Sequence, residues 1–169
     1  PAEARLLSWC RGQRLPLWAV LDAAQGDAAR ETLFGSGRRY RSLYSGAAAD
    51  TYRRVCPYLV RAPASSRFVE RVVTLGWGAH WAIWLVADAP FAALRRHLRR
   101  FLKVQLPGEG AALFRFYDPR VLPTFLTSAP DDDVARFFGP VTAFVGRDRA
   151  TGAALVVRHA RGAVRVEAL

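Results

Sequence analysis

Apolar residues fall along this chain in two patterns, short unbroken runs and stripes repeating every three or four positions, which mark strands and helices respectively. Residues 2–11 place Leu6, Leu7 and Cys10 on one side of a short helix that stops near Gly12. The run Leu17–Leu21 predicts a buried strand. Asp22, Gln25 and Gly26 form its exit, and Asp27 caps a helix ending near Phe34 and Gly35. Tyr40–Tyr44 reads as a second strand, residues 47–55 as a helix and Pro57–Arg61 as a returning strand. Phe68, Val69, Val72, Val73 and Leu75 make a helical face, with Gly76 and Gly78 bracketing the next transition. Trp81–Val86, apolar at every position, predicts a strand in the middle of a covered sheet.

Asp88 and Pro90 open a helix running to about Leu102, with Phe91, Leu94, Leu98, Phe101 and Leu102 on one stripe. Val104–Leu106 and Ala112–Tyr117 flank Pro107–Gly110, a hairpin signal. Leu113–Tyr117 then leads into a turn. Asp118 has the side chain of a helix N-cap, Pro119 suits the first helical position, and Val121, Leu122, Phe125 and Leu126 follow at helical spacing. Pro123 must sit in that first turn or cut the helix short. Asp131–Asp133 start a further helix that Gly139 and Pro140 terminate. Val141–Val145, Leu155–His159 and Ala163–Val166 are short strands in a meander. The pattern predicts one α/β domain over residues 1–169. Its mixed central sheet has helices packed on its faces and a C-terminal antiparallel β meander from about residue 141.

Composition fits a dense core: 51% of residues are hydrophobic and five are Trp. No apolar stretch approaches the ~18 residues of a membrane span, and the first residues lack the pattern of a secretory signal. Two cysteines, Cys10 and Cys56, are too few for a disulfide framework. A reduced, cytoplasmic protein is therefore expected, with Cys56 a small buried apolar residue. Charge is the anomaly. Lys and Arg number 25 against 14 acids, a net +11, and only Lys103 is lysine. Codon bias can favour arginine over lysine, but it does not explain the shortage of acids. The imbalance favours an acidic partner: protein, nucleic acid or membrane surface.

Candidate chemistry is sparse. His80, His97, His159 and the cysteines lack metal-ligand spacing, so no metal and no cofactor is expected. His80 reads as a hydrogen-bonded core histidine at the start of a buried strand. There is no Gly-x-Ser-x-Gly elbow, no phosphate-cradling glycine loop and no carboxylate pair suited to acid–base work. An enzyme is not expected, and no residue is assigned as catalytic. Trp81 and Trp84 should point to opposite faces of their strand rather than form a binding platform. The helix from Phe91 is the richer candidate. Arg95, Arg96, Arg99, Arg100 and Lys103 cover its remaining surface, and Arg95/Arg99 and Arg96/Arg100 are like-charge i,i+4 pairs. They read as a solvated face, as a dock for an acidic protein segment, or as a nucleic-acid contact. Arg115 and Arg120 flank Asp118 and read first as its structural partners, with carboxylate recognition as a second role.

Several stretches together resemble one family. They are Leu17–Ala24, Tyr40–Gly46, Cys56–Val60, Gly76–Gly78, Trp81–Leu106, Leu113–Leu122 and Arg136–Pro140. In that order, over roughly residues 15–141, they are similar to the type VI secretion adaptors that load toxic effectors onto the valine-glycine-repeat spike protein. Many relatives continue further than the residues 142–169 present here. The resemblance implies a non-enzymatic adaptor or chaperone with two partners, a cognate secreted toxin effector and the spike protein. It implies no chemistry at Asp118, Pro119, Gly139 or Pro140, which are structural. The alternatives are a basic nucleic-acid-binding domain, expected to show a steep salt dependence, and an enzyme whose site the motifs do not reveal.

Overall fold

The computed structural model describes every residue except Pro107 and Glu109, together with the side chains of Gln105 and Leu106. Seven strands form one sheet in the order β2-β3-β1-β4-β7-β8-β9. Its strands are β1 (Leu17–Asp22), β2 (Tyr40–Ser42), β3 (Pro57–Arg61), β4 (Ala82–Ala87), β7 (Val141–Arg147), β8 (Ala154–Ala160) and β9 (Ala163–Ala168). Strands β5 (Lys103–Leu106) and β6 (Gly110–Leu113) pair separately as a hairpin. Pro107 and Glu109 of the expected turn lie outside the described residues. The α/β class and the C-terminal meander are as the pattern predicts. The sheet is not mixed in direction, however: each of its ladders is antiparallel.

Strict alternation along the central strands feeds two cores. Leu17, Ala19 and Leu21 of β1 and Ala82, Trp84 and Val86 of β4 face one side. There they meet α1 (Ala2–Arg11), α2 (Asp27–Phe34) and α4 (Arg67–Gly76). Trp18, Val20, Ile83, Leu85 and Ala87 face the other side. That side is covered by α5 (Phe91–Arg99), α6 (Leu122–Ser128) and α7 (Asp131–Phe138). The remaining helix, α3 (Ala47–Thr51), is a short segment after β2. Both central strands are buried at every position, which is why their sequence shows no polar face. A bulge between β4 and β7 pairs Val86 with Ala143 but Ala87 with Val141. The extra residue, Thr142, donates its hydroxyl to the Val86 carbonyl at 3.1 Å. The bulge turns Val141 into the second core while Ala143 stays in the first.

Several boundaries shift from the sequence reading, each for a local reason. Trp81 and Trp84 pack in the same core, not on opposite faces. Trp81 precedes β4 and escapes its alternation: its N–H donates to the Gly76 carbonyl at 3.0 Å, and its ring lies where a Gly76 Cβ would be, 2.6 Å away. Leu75 falls off its helical face and is exposed. His80 is not a hydrogen-bonded core residue. It sits at φ +60° in the turn before β4, and its Nδ1 is buried without a partner.

The strand–turn–helix expected at residues 113–126 changes most. Strand β6 ends at Leu113, and α6 begins only at Leu122, with Pro123 in its first turn. Asp118 is therefore not a helix cap and Pro119 is not the first helical residue. Phe116 and Tyr117 are drawn from the strand into the second core. The Pro119 carbonyl accepts from Arg147 N–H at 2.6 Å, fastening the turn to β7. Gly139 does end α7, at φ +47°, where a Cβ would collide with the His97 ring. Positive φ and lack of space both call for glycine there.

A candidate partner-binding groove

The basic helix α5 divides its cations between two tasks. Arg95 donates from Nε to the Ser42 carbonyl at 2.7 Å and from Nη2 to the Tyr44 carbonyl at 2.9 Å. Arg99 donates from Nε to the Leu43 carbonyl at 2.9 Å and reaches the Ser45 hydroxyl. These two guanidiniums hold the loop leaving β2, and each is only partly exposed. The like-charge pair Arg95/Arg99 is thus answered by carbonyl dipoles instead of carboxylates. Arg96, Arg100 and Lys103 are exposed.

His97, on the same helix, is buried, and its Nε2 lies 2.8 Å from the Phe137 carbonyl. A carbonyl only accepts, so Nε2 carries the proton and Nδ1 accepts from Arg100 Nη2 at 2.8 Å. Burial holds this imidazole below its usual 6.5, and the adjacent Arg100 charge adds to the effect against the opposing carbonyl bond. Helix α5 is thereby tied to the β2–α3 loop on one side and to α7 on the other.

Arg115 and Arg120 are held by carboxylates. Arg115 pairs with the buried Asp22 at 2.7 Å, stitching residue 115 to the end of β1. Arg120 grips the buried Asp118 with Nε at 3.0 Å and Nη2 at 2.7 Å, and its own N–H bonds the same carboxylate. Burial alone would lift the Asp118 carboxyl, but the hydrogen bonds and charge of Arg120 outweigh it and leave it below its usual 3.8. Of the two flanking arginines only Arg120 is bonded to Asp118, which organises a turn and not a helix start; the partner of Arg115 is Asp22.

Two grooves flank the β5–β6 hairpin, because alternate residues of its strands face opposite ways. On one side, paired Lys103 and Leu113 join Leu43, Tyr44, Tyr52 and Leu102 around a groove of about 680 Å³. Tyr44 and Tyr52 meet edge to face at 6.3 Å, and Tyr52 and Leu113 are each about half exposed. Arg99 and Arg100 complete its wall. On the other side, Val104 and Phe114 line a groove of about 890 Å³ with Phe101 and Phe125. Asp133 and Arg136 at its rim pair with each other. The first groove has aromatic and aliphatic surface, cations and, among its described lining residues, no acid. Arg96 lines neither groove. Tyr44 and Tyr52 carried no signal in the sequence: they lie around an alanine-rich segment with no periodic aromatic pattern.

Among the described residues no group of three His, Cys, Asp or Glu side chains is placed to hold a metal. No helix there is long and apolar enough to cross a membrane. Comparison with protein families matches residues 17–136, more than two thirds of the chain, to a family described as a domain of unknown function, DUF4123. The chain belongs to the DUF4123 family. No curated protein and no solved structure matches it. The matched span ends before β7, so the meander lies beyond this DUF4123 match and the groove lies within it.

Removing Arg95 should expose what it holds. Arg95→Ala is expected to cost about 1–3 kcal/mol by leaving the Ser42 and Tyr44 carbonyls unmatched, with faster proteolysis at residues 42–46. Arg96→Ala should stay within about 0.5 kcal/mol. Chemical denaturation and limited proteolysis check both.

Acid should act in two stages. The folded chain resists protonating His97, so stability is full above about pH 6.5 and falls as pH drops through that range. The depressed Asp118 contributes above its usual 3.8 and is lost as pH falls further, through its folded value. Denaturation midpoints across pH, compared with His97→Gln, test the upper stage, which the variant should diminish.

Proposed function

We propose that this DUF4123 protein is a non-enzymatic adaptor or chaperone that works in the cytoplasm. It binds a cognate type VI secretion effector and helps mount that effector on the valine-glycine-repeat spike protein. The observation that carries the reading is the groove between the β2–α3 loop, the end of α5 and the β5–β6 hairpin. Its apolar and aromatic lining can bury side chains of another polypeptide, and its rim is cationic. The collinear resemblance to the adaptors along residues 15–141 supports the same reading.

Apolar contact would supply the binding energy, while Arg100 and Lys103 steer an acidic segment into register and set association rate and partner choice. Arg96, exposed on the same helix, adds to that field. Arg95 and Arg99 build the wall of the groove instead of contacting the partner through free forks. Arg115 and Arg120 contribute through Asp22 and Asp118, by fixing the segment that follows the hairpin.

The test is charge reversal that spares the two structural arginines. Arg96→Glu and Lys103→Glu together should strongly reduce pull-down of the cognate effector, with folding unchanged by circular dichroism. Undiminished capture would discard this surface. A binding series with duplex and single-stranded nucleic acid should stay weak and lack the steep salt slope of phosphate recognition.

A further inference from the structure

A second cluster of cations lies at the end of the sheet where β1 begins and β3 and β4 finish, outside the groove already described. The β1–β3 ladder sets Arg61 directly opposite Trp18. The Arg61 guanidinium lies over the Trp18 ring at 4.7 Å. Trp18 in turn meets Phe91 edge to face at 5.5 Å, and the Arg39 guanidinium lies over Phe91 at 4.6 Å. The result is a row of guanidinium, indole, phenyl and guanidinium. Its middle is anchored by the Trp18 Nε1–H bond to the Ala87 carbonyl at 3.0 Å. The ends are linked through Arg61 N–H to the Arg39 carbonyl at 3.0 Å.

Stacking on an aromatic face leaves the in-plane N–H donors of a guanidinium aimed sideways, where a planar anion can meet them edge to edge. Both arginines line an open cleft of about 400 Å³. Arg61 Nη1 is buried and has no hydrogen-bond partner, and neither arginine is in an ion pair among the described residues. A buried charged donor left unmatched is costly unless something binds it. The acid on the cleft wall, Asp88, is exposed and pairs with neither arginine. Its charge offsets part of the attraction and opposes a dianion more than a monoanion.

We infer that the cleft formed by Arg39, Arg61, Trp18 and Phe91 is a carboxylate-binding site that takes a glutamate or aspartate side chain of a partner polypeptide. The cleft is separate from the groove at the hairpin, so it stands or falls independently of the adaptor reading.

The experiment titrates the intact protein with an acetylated, amidated Gly-Glu-Gly peptide while the Trp18 indole N–H resonance is followed. The matching Gly-Gln-Gly peptide and inorganic phosphate are the other arms. The glutamate peptide should shift that resonance saturably in the millimolar range and the glutamine peptide should not. Phosphate should bind more weakly, and gain when Asp88→Asn removes the opposing charge. Arg61→Lys, which keeps the charge and loses the fork, and Arg39→Gln on the exposed side should each weaken the glutamate peptide at least about tenfold. Equal response to both peptides, no saturation, phosphate binding tighter than the glutamate peptide, or undiminished binding in folded Arg61→Lys would overturn the assignment.

Discussion

The carbonyl oxygens of Ser42, Leu43 and Tyr44 face α5, and Arg95 and Arg99 are what meets them. That contact joins the burial of Leu43 in the second core and its N–H bond to the Pro57 carbonyl in fixing the loop after β2 against the helix, where Tyr44 stands as a groove wall. His97 completes the arrangement from the other side by bonding the end of α7. Helix α5 is therefore a strut between two parts of one face, and the groove is the gap it leaves beside the hairpin. Because charged donors bind carbonyls more strongly than neutral ones, two arginines suffice where a neutral side chain would leave a looser loop.

The net charge of +11 takes on a different meaning once its arginines are located. Some are internal fasteners: Arg95 and Arg99 to backbone, Arg115 to Asp22, Arg120 to Asp118. Others stack on rings, as Arg39 and Arg61 do. Those left exposed on or beside α5 are Arg96 and Lys103, together with Arg100, which also donates to His97; they are the ones placed to act on a partner. A uniform basic coat would suit a polyanion. A few cations around an aromatic and aliphatic hollow suit a protein segment that carries both acids and apolar side chains.

Much of the framework was legible in the sequence because its signals were redundant. The runs at β1 and β4 are apolar on both faces, the acids that open α7 at Asp131 and the glycine that ends it at Gly139 agree with the stripe between them, and the meander is spaced by turn residues. Residues 113–126 misled for a physical reason. A strand signal, a capping residue and a proline in sequence make a plausible local structure, but burial of Phe116 and Tyr117 outweighed local propensity and delayed the helix to Leu122. The site was less legible still. Five basic residues on one helix looked like one surface, yet which of them face solvent depends on a loop about fifty positions earlier. Likewise, the Arg61–Trp18 pairing requires the β1–β3 register, and no local pattern encodes it.

Hydrogen–deuterium exchange on the protein alone and bound to its effector addresses the central claim most directly. Protection concentrated at Tyr44–Tyr52 and at Leu102–Val104 with Leu113 is the outcome this account requires. Protection confined to the opposite face, over α1, α2 and α4, with the hairpin and the β2–α3 loop unchanged, would contradict it.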